Sequence, residues 1–94
     1  MPVKPNATTP PPDDFDPDAP LTDDEFERGH AAVVARRARQ ATGLSQAAFA
    51  ERYKIPASSL RDWEQGRRKP DAATLAYLLV ITRLPDDVAK VLAA

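Results

Sequence analysis

Between Ser45 and Pro70, in SQAAFAERYKIPASSLRDWEQGRRKP, hydrogen-bonding and cationic side chains recur at spacings that suit a nucleic-acid surface. Arg61 is long enough to reach a guanine edge or a phosphate. Asp62 can accept from a cytosine amino group, or simply orient Arg61. Ala57 and Ser58 are small enough for close approach to bases, and Ala57 suits a thymine methyl. Ser59 can hydrogen-bond a phosphate. Ser45 and Gln46 open a predicted helix, where free amides and the positive helix end favour an anion. Arg67, Arg68 and Lys69 add three charges whose phosphate contacts are salt-dependent and largely blind to sequence. Each residue also has an ordinary reading. Serines belong in first helical turns, an arginine can sit on a solvated face, and a basic triplet is favoured by the helix C-terminus alone. Taken together, the spacing favours the recognition surface.

Other chemistries find little support. The chain has no cysteine, which excludes disulfides and thiolate zinc sites and is compatible with a reducing cytosol. His30 is its only histidine and has no ligand-type partners at metal-binding spacing, so it is read as a solvated helix residue. The serines lack a nearby histidine base, and three glycines make no phosphate-cradling loop. No catalytic residue, cofactor or metal is expected. No apolar run reaches the roughly 18 residues of a membrane span. No basic start precedes an apolar h-region, so a secretory signal is not expected. A cytoplasmic, nucleoid-associated bacterial protein fits these features.

The charge is divided unevenly. Residues 1–30 carry two basic and eight acidic side chains, and residues 31–94 carry eleven basic and six acidic. A net of −6 thus precedes a net of +5, within a whole chain of −1. This division suggests two different partners, one of them polyanionic.

Five helices must position the candidate surface, and no strand pattern competes with them. Residues 1–22 precede them as an acidic, proline-rich tail; residues 1–20 hold seven of the ten prolines and few apolar groups. Such a segment is expected to be disordered in isolation. It serves either as a solubilising tail or as a segment that folds on a partner, with Phe15 an apolar anchor among Asp13, Asp14 and Asp16.

Thr22 and Glu25 form a capping box for the first helix. Gly29 costs about 1 kcal/mol relative to Ala in a helix interior, so this helix is expected to bend or to begin near His30. Val33 or Val34, with Ala38 and Ala41, marks its apolar face, and Gly43 ends it. Ser45 caps a second helix over 46–53, with Leu44 and Phe49 pointing to a core. Lys54 and Ile55 make a turn. Pro56 fits the first position of a third helix over 57–65, which buries Leu60 and Trp63 and ends at Gly66. Asp71 caps a fourth helix over 72–83, and Pro85 opens the last. The surplus apolar positions Tyr77, Leu78, Ile81, Val88, Val91 and Leu92 are either core or a dimer interface. The predicted domain spans 23–94.

The run GLSQAAFAERYKIPASSLRDWEQGRRKP resembles the Xre/Cro-type helix-turn-helix family over roughly residues 36 to 84. The matching residues are Gly43, Leu44, Ser45 and Gln46 at the second helix, Phe49 and Ala50 within it, and Trp63, Glu64, Gln65 and Gly66 closing the third. The resemblance implies an all-α, lambda-repressor-like fold. It also implies a phosphate or base contact at Gln46, and a groove face of Ala57, Ser58, Arg61 and Asp62. It further implies a structural ion pair between Arg39 and Glu64. Pro56 departs from the Ser or Thr usual at the recognition-helix cap.

Within the family, LRDWEQGRR-P and the helices after it are similar to HigA-type antitoxins, which bind a RelE-like ribonuclease toxin and repress their own operon. The DPDAPLTDDEF segment resembles, more briefly, the lead-in of BrnA-type antitoxins. An acidic tail would be drawn to the basic active face of such a toxin. The expected function is therefore an operator-binding dimeric repressor on palindromic half-sites that is also an antitoxin for a small basic RelE-like toxin. The alternative is an Xre-type regulator without a toxin partner.

Overall fold

The structure, a computed structural model, describes residues 21–94, all of them helix, turn or irregular segment with no strand. Five helices follow in order: α1 (Asp23–Thr42), α2 (Gln46–Arg52), α3 (Ala57–Glu64), α4 (Ala72–Arg83) and α5 (Pro85–Ala93). Residues 1–20, including Asp13, Asp14, Phe15 and Asp16, lie outside the described part.

The starts of α1, α2 and α4 are set by side chains that satisfy orphan amides. Thr22 accepts from the Glu25 amide, and the Glu25 carboxylate accepts from the Thr22 amide at 2.9 Å. Ser45 caps α2 through the Ala48 amide, and Asp71 caps α4 through the Thr74 amide at 2.8 Å. The capping box outweighs Gly29. α1 neither begins late nor stops there, but runs unbroken from Asp23. An Arg28–Asp24 pair one turn apart, at 2.9 Å, adds support on the same stretch.

The ends of α1, α2 and α3 are set by left-handed residues. Gly43 closes α1 at φ 72°. Gly66 closes α3 at φ 73°, and the amides of Gly66 and Arg67 donate back to the carbonyls of Trp63 and Asp62. This is the double hydrogen bond of a Schellman ending. α2 ends in the same way, with Lys54 at φ 62° in the position glycine usually takes. Its amide and that of Ile55 donate to the carbonyls of Glu51 and Ala50. Tyr53 falls outside the helix as its cap. Pro56 is also displaced from the expected first helical position. It sits one residue earlier, extended at ψ 128°, with no side-chain capping bond.

α1 packs mainly against α4 and α3, and α2 lies beside α3. The core joins Val34, Ala35 and Ala38 of α1 to Phe49, Ala50 and Tyr53, to Ile55, Leu60 and Trp63, and to Leu78 and Ile81 of α4. Phe49 and Tyr53 meet at 4.8 Å in a tilted arrangement. The Tyr53 hydroxyl donates to the Pro85 carbonyl at 2.9 Å and so ties α2 to the start of α5. Tyr77 in turn donates to the Tyr53 carbonyl at 2.7 Å.

Two expectations about apolar faces need correction. Ala41 is exposed, because α1 passes beyond the core at its last turn. Leu78 and Ile81 are wholly buried in the chain's own core and offer no surface to a second copy. Tyr77, Val88 and Leu92 are partly buried against that core, whereas Val91 is 74% exposed. Leu79, Val80 and Leu84 are also exposed.

Candidate nucleic-acid interface

α3 presents two faces because its apolar residues fall three apart. Leu60 and Trp63 turn inward, and Glu64 beside them is also buried. Ala57, Ser58 and Arg61 are exposed on the outer face. A helix with a small, polar N-terminal end and one long cation has the form needed to enter a major groove.

Glu64 holds that helix in place. Its two carboxylate oxygens accept from Arg39 Nε at 2.8 Å and Arg39 Nη2 at 2.9 Å, a two-point pairing between α1 and the end of α3. One of those oxygens also accepts from Gln46 Nε2 at 3.1 Å. Arg36, one turn before Arg39, donates to the Glu64 carbonyl at 2.6 Å. Arg39 further donates to the Leu44 carbonyl at 3.3 Å, just ahead of α2. One buried carboxylate therefore connects three helices. Burial pushes its pKa up. The hydrogen bonds from Arg39 and Gln46, with the charges of Arg39 and Arg36, outweigh that and hold it below the ordinary value.

The remaining candidates divide by what already holds them. Gln46, expected on a phosphate or base, is engaged with Glu64 and half-buried. Ser45 spends its hydroxyl as the α2 cap. Asp62 accepts from Arg68 Nε at 3.1 Å, and Arg68 Nη2 reaches Ser59 Oγ at 3.4 Å. Arg68 is thus folded back along α3, and Asp62 does not orient Arg61. Arg67 is exposed and makes no ion pair among the described residues. Lys69 turns the other way, towards Glu27 and Asp24 on α1.

The outward surface is therefore Ala57, Ser58 and Arg61 on α3, with Arg67 and Arg68 on the loop after it. Arg36 and the Gln46–Glu64 bond were not foreseen. The spacing of Arg36 and Arg39, three apart on one helix face, was the available signal for the first. His30 is exposed and stacks on Phe26 at 6.4 Å between ring centres. No helix among the described residues is long and apolar enough to cross a membrane.

Residues 30–92 match a protein-family model described as a helix-turn-helix domain. No curated protein and no solved structure matches the chain.

Proposed function

The chain belongs to the helix-turn-helix domain family, and from that membership we propose that it is a sequence-specific transcriptional repressor that binds its own operator as a dimer on palindromic half-sites. The outward face of Ala57, Ser58 and Arg61, beside Arg67 and Arg68, carries this reading. It combines groups for base edges with charges for phosphates. A single helix of this size covers few base pairs, and pairing two copies is the usual remedy. The exposed apolar residues Leu79, Val80, Leu84 and Val91, with the partly buried Tyr77, Val88 and Leu92, supply the face through which two copies join.

Titration of a duplex taken from upstream of the chain's reading frame tests this. Two chains should bind per duplex, more tightly than to a random duplex. The logarithm of affinity should fall against that of salt with a slope on the order of −4, if Arg67 and Arg68 of each copy displace counterions. Equal affinity for the upstream and random duplexes would rule out autorepression.

The finer reading is that this repressor is the antitoxin of a toxin–antitoxin module, directed at a small basic RelE-like toxin. It is supported by the net −6 of residues 1–30 set against the net +5 of residues 31–94, and by the resemblance of LRDWEQGRR-P to HigA-type chains. Deleting residues 1–22 should abolish neutralisation of a basic protein encoded in the neighbouring frame, while operator binding survives. Growth on co-expression reads the first and gel shift the second. Full neutralisation by the shortened chain excludes the tail as the inhibitor. The absence of any such neighbouring protein favours a regulator without a toxin partner.

A further inference from the structure

Arg67, Arg68 and Lys69 read in the sequence as one cationic triplet leaving α3, but the structure divides them. Arg67 is exposed without an ion pair among the described residues, and Arg68 stays against α3 on Asp62 and Ser59. Lys69 crosses to α1, where its ammonium donates to Glu27 Oε1 and lies 3.9 Å from Asp24 Oδ1. The side chains of Lys69, Asp24 and Glu27 are 45%, 58% and 54% exposed. Asp24 is shared, since Arg28 also holds it at 2.9 Å. Glu27 is therefore the principal holder of Lys69.

We propose that Glu27, assisted by Asp24, is a positioning residue for DNA binding, holding Lys69 off the phosphate track that Arg67 and Arg68 border. The proposal rests on the reading of α3 and its following loop as the DNA surface. An exposed ion pair is weak enough to exchange one anionic partner for another. The flexible stem of lysine allows its ammonium to move from a carboxylate to a nearby phosphate. The hydrogen bond to Glu27 raises the pKa of Lys69 in the paired state, and a lysine ammonium is charged at neutral pH with either partner. In the wild type the carboxylates compete with the phosphate for one cation. Affinity for any duplex is thereby set below what the triplet could deliver.

The experiment is fluorescence anisotropy with a short random-sequence duplex over a range of salt. The proteins are the full-length wild type, Glu27→Gln, Lys69→Gln and the double variant. Glu27→Gln leaves the Asp24–Arg28 pair in place, and circular dichroism verifies that its helix content is unchanged. Glu27→Gln should bind about threefold more tightly at low salt, with a salt slope steeper by about 0.9 for each bound copy, the value of one added phosphate contact. Lys69→Gln should bind nearly as the wild type does, and Glu27→Gln should bring no gain in that background. A gain of equal size in both backgrounds overturns the proposal, because it reports only the removal of a repelling charge. No gain in either background overturns it as well. Failure of the wild type to bind any duplex at low salt overturns the DNA reading itself, and this proposal with it.

Discussion

Glu64→Ala should lower the thermal midpoint of unfolding by about 10–20 °C, from a loss of about 2–3 kcal/mol in a domain this small. The Glu64 side chain is only 5% exposed, and it accepts from both Arg39 nitrogens and from Gln46. Truncation leaves a guanidinium and an amide donor without their acceptor in a partly dry site. Arg39 is 27% exposed and recovers some solvation, so the loss falls short of that for a fully buried pair. The double variant Arg39→Ala/Glu64→Ala should lose clearly less than the sum of the two single variants, since neither charge is then stranded. An unshifted midpoint in Glu64→Ala would show that this junction of α1, α2 and α3 does not hold the fold.

The same pair gives a signed pH dependence. The folded pKa of Glu64 lies below its ordinary value of 4.5. A group depressed on folding stabilises fully above its unfolded pKa, and that contribution is lost as pH falls through the folded value. Wild-type stability should therefore decline below about pH 4.5, and Glu64→Gln should show a shallower decline in chemical denaturation. The decline does not vanish in the variant. Glu25 and Asp71 are also held low, by hydrogen bonds from Thr22 and Thr74, and they titrate in the same window.

Five helices were legible because their boundaries are local. Thr22, Ser45 and Asp71 cap from side chain to an amide three residues on, and Gly43 and Gly66 end helices by their own backbone freedom. The same logic failed at Lys54, where the fold imposes a left-handed residue that its type does not announce. It also failed at Gly29, where a propensity cost was outweighed by the cap seven residues before it. The inward side of α3 was readable from the spacing of Leu60 and Trp63. The destinations of the polar groups were less readable, because those bonds join distant residues. Gln46 reaches Glu64 across 18 positions, and Lys69 reaches Glu27 across 42. Local pattern identified both as cations or donors fit for a phosphate, and only tertiary packing decided which carboxylate each would meet. Leu78 and Ile81 fall under the same rule: an apolar residue on a helix suits a core or a partner equally until the neighbouring helices are placed.

Arg61 gives the largest expected effect on binding. It lies on the exposed face of α3 and its side chain makes no hydrogen bond or ion pair among the described residues, unlike those of Asp62, Arg68 and Lys69 around it. Its replacement should leave the stability within about 0.5 kcal/mol of the wild type, as for surface changes generally. Its effect on DNA is then free of folding artefacts. Arg61→Ala should weaken the operator complex about 10- to 100-fold, the range for an arginine paired with a guanine edge. Binding to a random duplex should weaken far less. A phosphate contact predicts otherwise: both duplexes would weaken together, with a salt slope shallower by about one for each bound copy. Arg61→Glu should weaken operator binding further, since it places an anion beside the phosphates and Arg67 alone remains unpaired to offset it. An operator affinity unchanged in both variants would mean that α3 does not enter the groove by this face.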